Sequence, residues 1–123
     1  LKEISYIHSE AYAAGELKHG TLSLVTEGTP VIALATSPVH YDKMTGNIRE
    51  VRSRGGYVIL VCAPDFPSPG EYADDVFILP AADPLFAPLG CVVFSQLLAY
   101  ETALIRGCDV DHPRNLAKSV TVE

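Results

Sequence analysis

Two stretches and one glutamate of this 123-residue chain carry the side chains whose types could do chemistry. Near the carboxyl end, Arg114 to Glu123 reads R-N-L-A-K-S-V-T-V-E, with a single lysine, Lys118, among small and β-branched residues. Chain ends are ordinarily polar and disordered, whereas Leu116, Val120 and Val122 suit a tail that packs down and holds its lysine. A lysine amine attacks a carbonyl only when neutral, which at pH 7 is less than about one part in a thousand for an unperturbed group. A nucleophilic Lys118 therefore needs a desolvated or cationic neighbourhood. The commoner fate of such a residue is an ordinary solvated lysine.

Toward the other end, Gly15-Glu16-Leu17-Lys18-His19-Gly20 sets a histidine between two conformational breaks. Imidazole exchanges protons near neutral pH, and a break on each side lets the backbone turn toward a cleft. The plainer role is a cation at a helix carboxyl terminus. Glu3 by itself reads as a solvated helix glutamate. The four histidines, His8, His19, His40 and His112, have no metal-ligand spacing. The chain also lacks G-x-G-x-x-G, Walker, H-E-x-x-H and G-x-S-x-G motifs, so no metal or cofactor site is expected.

The elements between these stretches read as a scaffold. Leu1, Ile4, Ile7, Ala11 and Ala14 fall at three- and four-residue steps, predicting a helix from Leu1 to about Lys18. It opens without an N-cap, as if cut from something longer. Thr29 to Thr36 and Tyr57 to Ala63 are continuous apolar runs, the pattern of buried parallel strands. Between them, Ser37-Pro38 starts a helix that runs to about Arg54 and closes at Gly55-Gly56. After a Pro- and Gly-rich loop come a short strand, Val76 to Leu79, and a long helix from about Leu85 to Arg106, ended by Gly107. Apolar residues cover much of that helix's circumference, which predicts packing against another domain or subunit as well as its own sheet.

Strand, helix, strand, loop, strand and helix in this order predict an α/β fold: a small doubly wound parallel sheet of three or four strands, in a flavodoxin-like three-layer α/β/α arrangement. Ligands in such sheets sit beyond the carboxyl ends of the strands. Thr36-Ser37-Pro38 is one such end, where a helix amino terminus could hold an anion, although Ser37 as a plain cap needs no ligand.

Composition narrows the function classes. The 48% hydrophobic and 20% charged content is that of a globular domain. A net charge of −6 without a basic stripe makes nucleic acid and anionic membrane poor partners. Cys62, Cys91 and Cys108 are odd in number, widely spaced and form no C-x-x-C, which fits a reducing cytoplasm. The most apolar stretch, Leu85 to Tyr100, contains Pro88 and Gln96 and is too short for a membrane span.

Leu1 to Gly20 (L-K-E-I-S-Y-I-H-S-E-A-Y-A-A-G-E-L-K-H-G), T-P-V-I-A-L-A-T, and Cys108 to Glu123 (C-D-V-D-H-P-R-N-L-A-K-S-V-T-V-E) resemble the glucosamine-6-phosphate synthases, the glutamine–fructose-6-phosphate aminotransferases. The resemblance runs over essentially the whole chain. It implies the carboxyl-terminal part of the isomerase half: residues 1–110 within the second sugar-isomerase (SIS) domain, incomplete at its amino-terminal side, and residues 111–123 as a tail. By position it implies that Lys118 forms a Schiff base with the open-chain ketose and that Glu3 moves the proton between C1 and C2. His19 would help open the sugar ring from the neighbouring subunit, and the Ala117 backbone would line the site. The implied partners are fructose 6-phosphate or glucosamine 6-phosphate, the upstream SIS and glutaminase domains, and a second copy in a cytoplasmic homodimer.

Two departures qualify this. Many relatives carry proline where Thr21 stands, which changes the loop entry but no reacting group. The glutaminase nucleophile and the first SIS domain with its Ser/Thr phosphate loops are absent from the sequence. The chain alone is therefore expected to lack synthase activity, and to form dimers or soluble aggregates through an uncovered apolar patch. Two other readings stand beside this one. A non-catalytic SIS module sensing a sugar phosphate would need none of Glu3, His19 and Lys118. A free-standing response-type domain would need a carboxylate cluster at the strand ends, and Asp65, Asp74 and Asp75 look too scattered to form one.

Overall fold

The computed structural model describes residues 1–114, so Ala117 and Lys118 lie outside the described residues. The chain divides into two compact units, one of Tyr12–Cys91 and one combining Leu1–Ala11 with the chain from Val92 onward.

The larger unit is built on the expected parallel α/β sheet. Strands β1 (Pro30–Ala35), β2 (Tyr57–Cys62) and β3 (Asp75–Ile78) are hydrogen-bonded in the order β1-β2-β3. Their register pairs Ala33 with Leu60 and Leu60 with Val76. β2 lies centrally, and its Val58, Leu60, Val61 and Cys62 are wholly buried, as a continuous apolar run requires. β1 departs from that expectation. Ala33 and Ala35 are buried, but Ile32 and Leu34 alternate with them at 38% and 42% exposure. β1 is an edge strand of this three-stranded sheet, so only its inward face is packed.

The crossover from β1 to β2 begins as a 3₁₀ turn, Pro38–His40, and continues as helix α2 (Tyr41–Arg52). Proline takes the first helical position as the sequence predicts. Ser37 occupies the cap position, yet its hydroxyl pairs with His40 Nδ1 at 3.0 Å instead of capping a backbone amide. Tyr41, Ile48 and Val51 are the buried stripe of α2 and join Ala33, Ala35, Val58, Leu60 and Cys62 in one core. Fully burying one such aliphatic side chain stabilises the fold by roughly 1.5–3 kcal/mol. The helix stops where expected. Gly55 takes φ 82°, and a Cβ there would lie 2.9 Å from the Glu27 Cα. The Gly28 amide also donates to the Gly55 carbonyl at 2.7 Å. Both the left-handed backbone and the close approach call for glycine.

The first helix is much shorter than its spacing predicts. Helix α1 is only Lys2–Ser5, and Tyr6 turns the chain out of it at φ 58°. Helical hydrogen bonding resumes only in a 3₁₀ segment, Ala14–His19, followed by another, Thr21–Leu24, beyond Gly20 at φ 132°. Ser5 explains part of the break. It is completely buried, and its hydroxyl donates to the Leu1 carbonyl at 2.7 Å, a back-bond that competes with helix continuation.

Helix α3 (Ala87–Ile105) ends at Gly107, φ 68°, as predicted. Leu89, Val92, Val93, Leu97 and Ile105 are all at least half exposed. Among the described residues α3 alone is long and apolar enough to cross a membrane, judged by length and composition.

Candidate functional site

The carboxyl ends of the three strands open into a cleft of about 560 Å³. Thr36 and Pro38 follow β1, Ala63 to Asp65 follow β2, and Leu79 and Pro80 follow β3; Phe86, Leu89 and Gly90 close the side toward α3. This is where a parallel α/β sheet places ligands. Among the described residues the lining is nearly all apolar, and Asp65 is the one ionisable side chain. A sugar phosphate placed here would meet, among the described residues, a carboxylate and no cation. Ser37, the residue best placed to help an anion at the start of α2, has its hydroxyl on His40.

Asp65 has a structural partner. Its Oδ1 accepts the Tyr41 hydroxyl at 2.7 Å, and Tyr41 packs edge-on against Phe66 with ring centroids 4.8 Å apart. Burial, and then the Asp65 carboxylate, push the Tyr41 phenol up to about 12. A phenol whose folded value lies above its unfolded value of about 10 stabilises the fold fully below pH 10 and loses that contribution as pH rises toward 12. Tyr41→Phe should therefore cost about 1 kcal/mol at pH 7. It should also flatten the fall in stability between pH 10 and 12, as read by urea unfolding across that range.

The other carboxylates are used elsewhere. Asp74 accepts the Val58 amide at 2.7 Å and pairs with Arg52 at 3.2 Å. Asp75 accepts the Tyr57 hydroxyl at 2.7 Å, a bond that raises the phenol above its ordinary value. Both lie at the starting ends of β2 and β3, opposite the end that carries Asp65. Among the described residues no carboxylate cluster forms, and the response-type reading loses its chemistry.

The residues singled out from the sequence are distributed as follows. Glu3 is exposed on α1 in the smaller unit. His19 ends the 3₁₀ segment Ala14–His19 in the larger unit, exposed, with Nε2 3.9 Å from Glu16 Oε2. Its neighbour Lys18 is tied down by Glu50 of α2 at 2.6 Å. Glu3 and His19 thus belong to different units, and the structure does not describe Lys118 or Ala117. Among the described residues no three His, Cys, Asp or Glu side chains gather as a metal site.

The sequence reading missed Tyr6. Its hydroxyl accepts the Arg114 backbone N–H at 2.9 Å, and the Arg114 guanidinium lies 3.9 Å from its ring centroid. No local pattern signals a contact between residues 108 positions apart.

A parallel α/β sheet with an open cleft at its strand ends defines a doubly wound α/β domain, and the family comparison says which kind. The SIS domain model matches residues 1–106, and the chain belongs to that family. It is 58% identical over 123 residues to the glutamine–fructose-6-phosphate aminotransferase (isomerizing) of Methanosarcina mazei, and 55% identical to that of Thermus thermophilus. Each match takes in all of this chain and 20% of the relative, so the chain spans about a fifth of the length of these proteins. A solved structure, the C-terminal domain of glucosamine-fructose-6-phosphate aminotransferase from Francisella tularensis, superposes with a TM-score of 0.82 at 41% identity. That match covers 89% of this chain and 31% of the other.

Proposed function

We propose that this chain is the carboxyl-terminal part of the isomerase half of a glucosamine-6-phosphate synthase. That enzyme converts fructose 6-phosphate and glutamine-derived ammonia to glucosamine 6-phosphate. The observation that carries this reading is the end-to-end similarity to aminotransferases of that name. Residues 1–110 would belong to the second SIS domain and residues 111–123 to a catalytic tail.

The family resemblance supports a task for each group. The Lys118 amine adds to the C2 carbonyl of the open-chain ketose, and loss of water leaves an imine. Ammonia displaces the lysine from C2, which places nitrogen where the product carries it. Glu3 takes a proton from C1, and a proton returns to C2, turning the ketose derivative into an aldose. His19, from the partner subunit, would assist ring opening, and the Ala117 backbone would line the sugar. The sum is fructose 6-phosphate plus ammonia giving glucosamine 6-phosphate plus water, with no cofactor.

The apolar, acid-lined cleft supports assigning the phosphate to the upstream SIS domain. The exposed face of α3 suits coverage by upstream domains or a second copy in a homodimer. The acidic net charge and the three widely spaced cysteines suit a soluble cytoplasmic enzyme without a nucleic-acid or membrane partner. The complete polypeptide, supplied with fructose 6-phosphate and glutamine, should form glucosamine 6-phosphate, and the isolated 123 residues should form none. Product from the isolated chain would refute the claim that its site is incomplete. Its absence from the complete polypeptide would refute the assigned activity.

A further inference from the structure

We propose that Tyr6 is a positioning residue that fastens the root of the carboxyl-terminal tail, at Arg114, to the segment carrying Glu3, and so limits where Lys118 can go. The inference rests on the roles proposed above for Lys118 and Glu3.

Tyr6 holds Arg114 in two ways at once. Its hydroxyl accepts the Arg114 N–H at 2.9 Å, and its ring lies under the guanidinium at 3.9 Å. The ring is aimed by a costly backbone state. Tyr6 has φ 58°, a left-handed conformation that a bulky residue adopts only when its surroundings impose it. Its own N–H donates to the Lys2 carbonyl at 3.1 Å, which fixes the turn directly to α1.

A second contact runs alongside. Cys108 Sγ lies 4.0 Å from the carbonyl oxygen of the buried Ser5. Between Cys108 and Arg114 the chain is shaped by Asp109, whose Oδ1 accepts the amides of Asp111 at 3.0 Å and His112 at 2.9 Å. The segment entering the tail is thus folded on itself and tied to Ser5 and Tyr6, immediately after Glu3 and Ile4.

Chain geometry gives the tether its consequence. Lys118 is four residues beyond Arg114, and four residues span at most about 14 Å. Without the Tyr6 tie the last fixed point would be His112, whose amide Asp109 holds, and the six residues from there to Lys118 could span at most about 21 Å. Confining the amine to the smaller sphere raises its local concentration about threefold. Tyr6 would touch no reacting atom; it would act by shortening the leash on the residue that does.

The test uses the complete polypeptide, with Tyr6→Phe and Tyr6→Leu. Phenylalanine keeps the ring under Arg114 but removes the acceptor; leucine removes both. Hydrogen exchange at the Arg114 amide reports the tether directly. The initial rate of borohydride-trapped labelling of Lys118 by fructose 6-phosphate reports its use. Tyr6→Phe should speed Arg114 exchange several-fold and slow labelling up to about twofold, and Tyr6→Leu should slow labelling about threefold. KM for fructose 6-phosphate should move less than twofold, since the phosphate is held upstream.

Unchanged Arg114 exchange in Tyr6→Phe would show that the tether does not operate in solution. Faster exchange with unchanged labelling would make it purely structural. A wild-type enzyme with a protected Arg114 amide but no label at Lys118 would instead overturn the lysine assignment, and with it the purpose proposed for the tether.

Discussion

Replacing Lys118 by alanine in the complete polypeptide should abolish borohydride-trapped labelling by fructose 6-phosphate and lower glucosamine 6-phosphate formation by at least about 10³-fold. The magnitude follows from the role. A covalent intermediate through this amine lets one difficult substitution at C2 proceed as two easier ones, and alanine offers no atom through which to form it. Lys118→Arg is the sharper control. A guanidinium keeps the positive charge and much of the length but stays protonated at any pH the protein survives, so it cannot form the imine. An inactive arginine variant with an unchanged melting temperature separates nucleophilic from merely electrostatic use of the lysine. An arginine variant with near wild-type turnover would eliminate the Schiff-base mechanism.

The parts of the fold that were legible in the sequence are those whose signals are local. Tyr57-Val58-Ile59-Leu60-Val61-Cys62 is a continuous apolar run because both faces of a central parallel strand are packed, and β2 spans those residues. Pro38, Gly55 and Gly107 punctuate the helices by backbone geometry that no neighbour has to supply. The first eighteen residues misled for the opposite reason. Leu1, Ile4, Ile7 and Ala11 have helical spacing, yet the chain leaves the helix at Tyr6. The contacts that fix that exit come from Cys108 and Arg114, more than a hundred residues away. Periodicity cannot register a partner at that distance.

The site divides in the same way. Residue types nominated Lys118, Glu3 and His19, because few side chains can serve as an amine nucleophile, a carboxylate base and a near-neutral acid. Their grouping came only from the family resemblance, and the structure places Glu3 and His19 in separate units. The cleft was foreseeable from the parallel sheet, but the apolar character of its described lining was not, since that depends on which loop residues face inward.

Glu3→Gln should separate the two halves of the chemistry. Glutamine preserves shape and hydrogen-bonding reach but cannot accept a proton from carbon. Schiff-base formation at Lys118 needs no base acting at C1, so borohydride labelling should remain near the wild-type level. Glucosamine 6-phosphate formation should fall by about 10²–10⁴-fold, the usual contribution of a positioned general base. Solvent deuterium should no longer wash into the sugar in step with turnover, because transfer between C1 and C2 is the step removed. The exposure of Glu3 on α1 is compatible with this. If labelling fell as steeply as product formation, Glu3 would be acting before the proton transfer, by orienting the sugar or the lysine. If neither changed, another group would be moving the proton, and the place of Glu3 next to the Tyr6 turn would be structural alone.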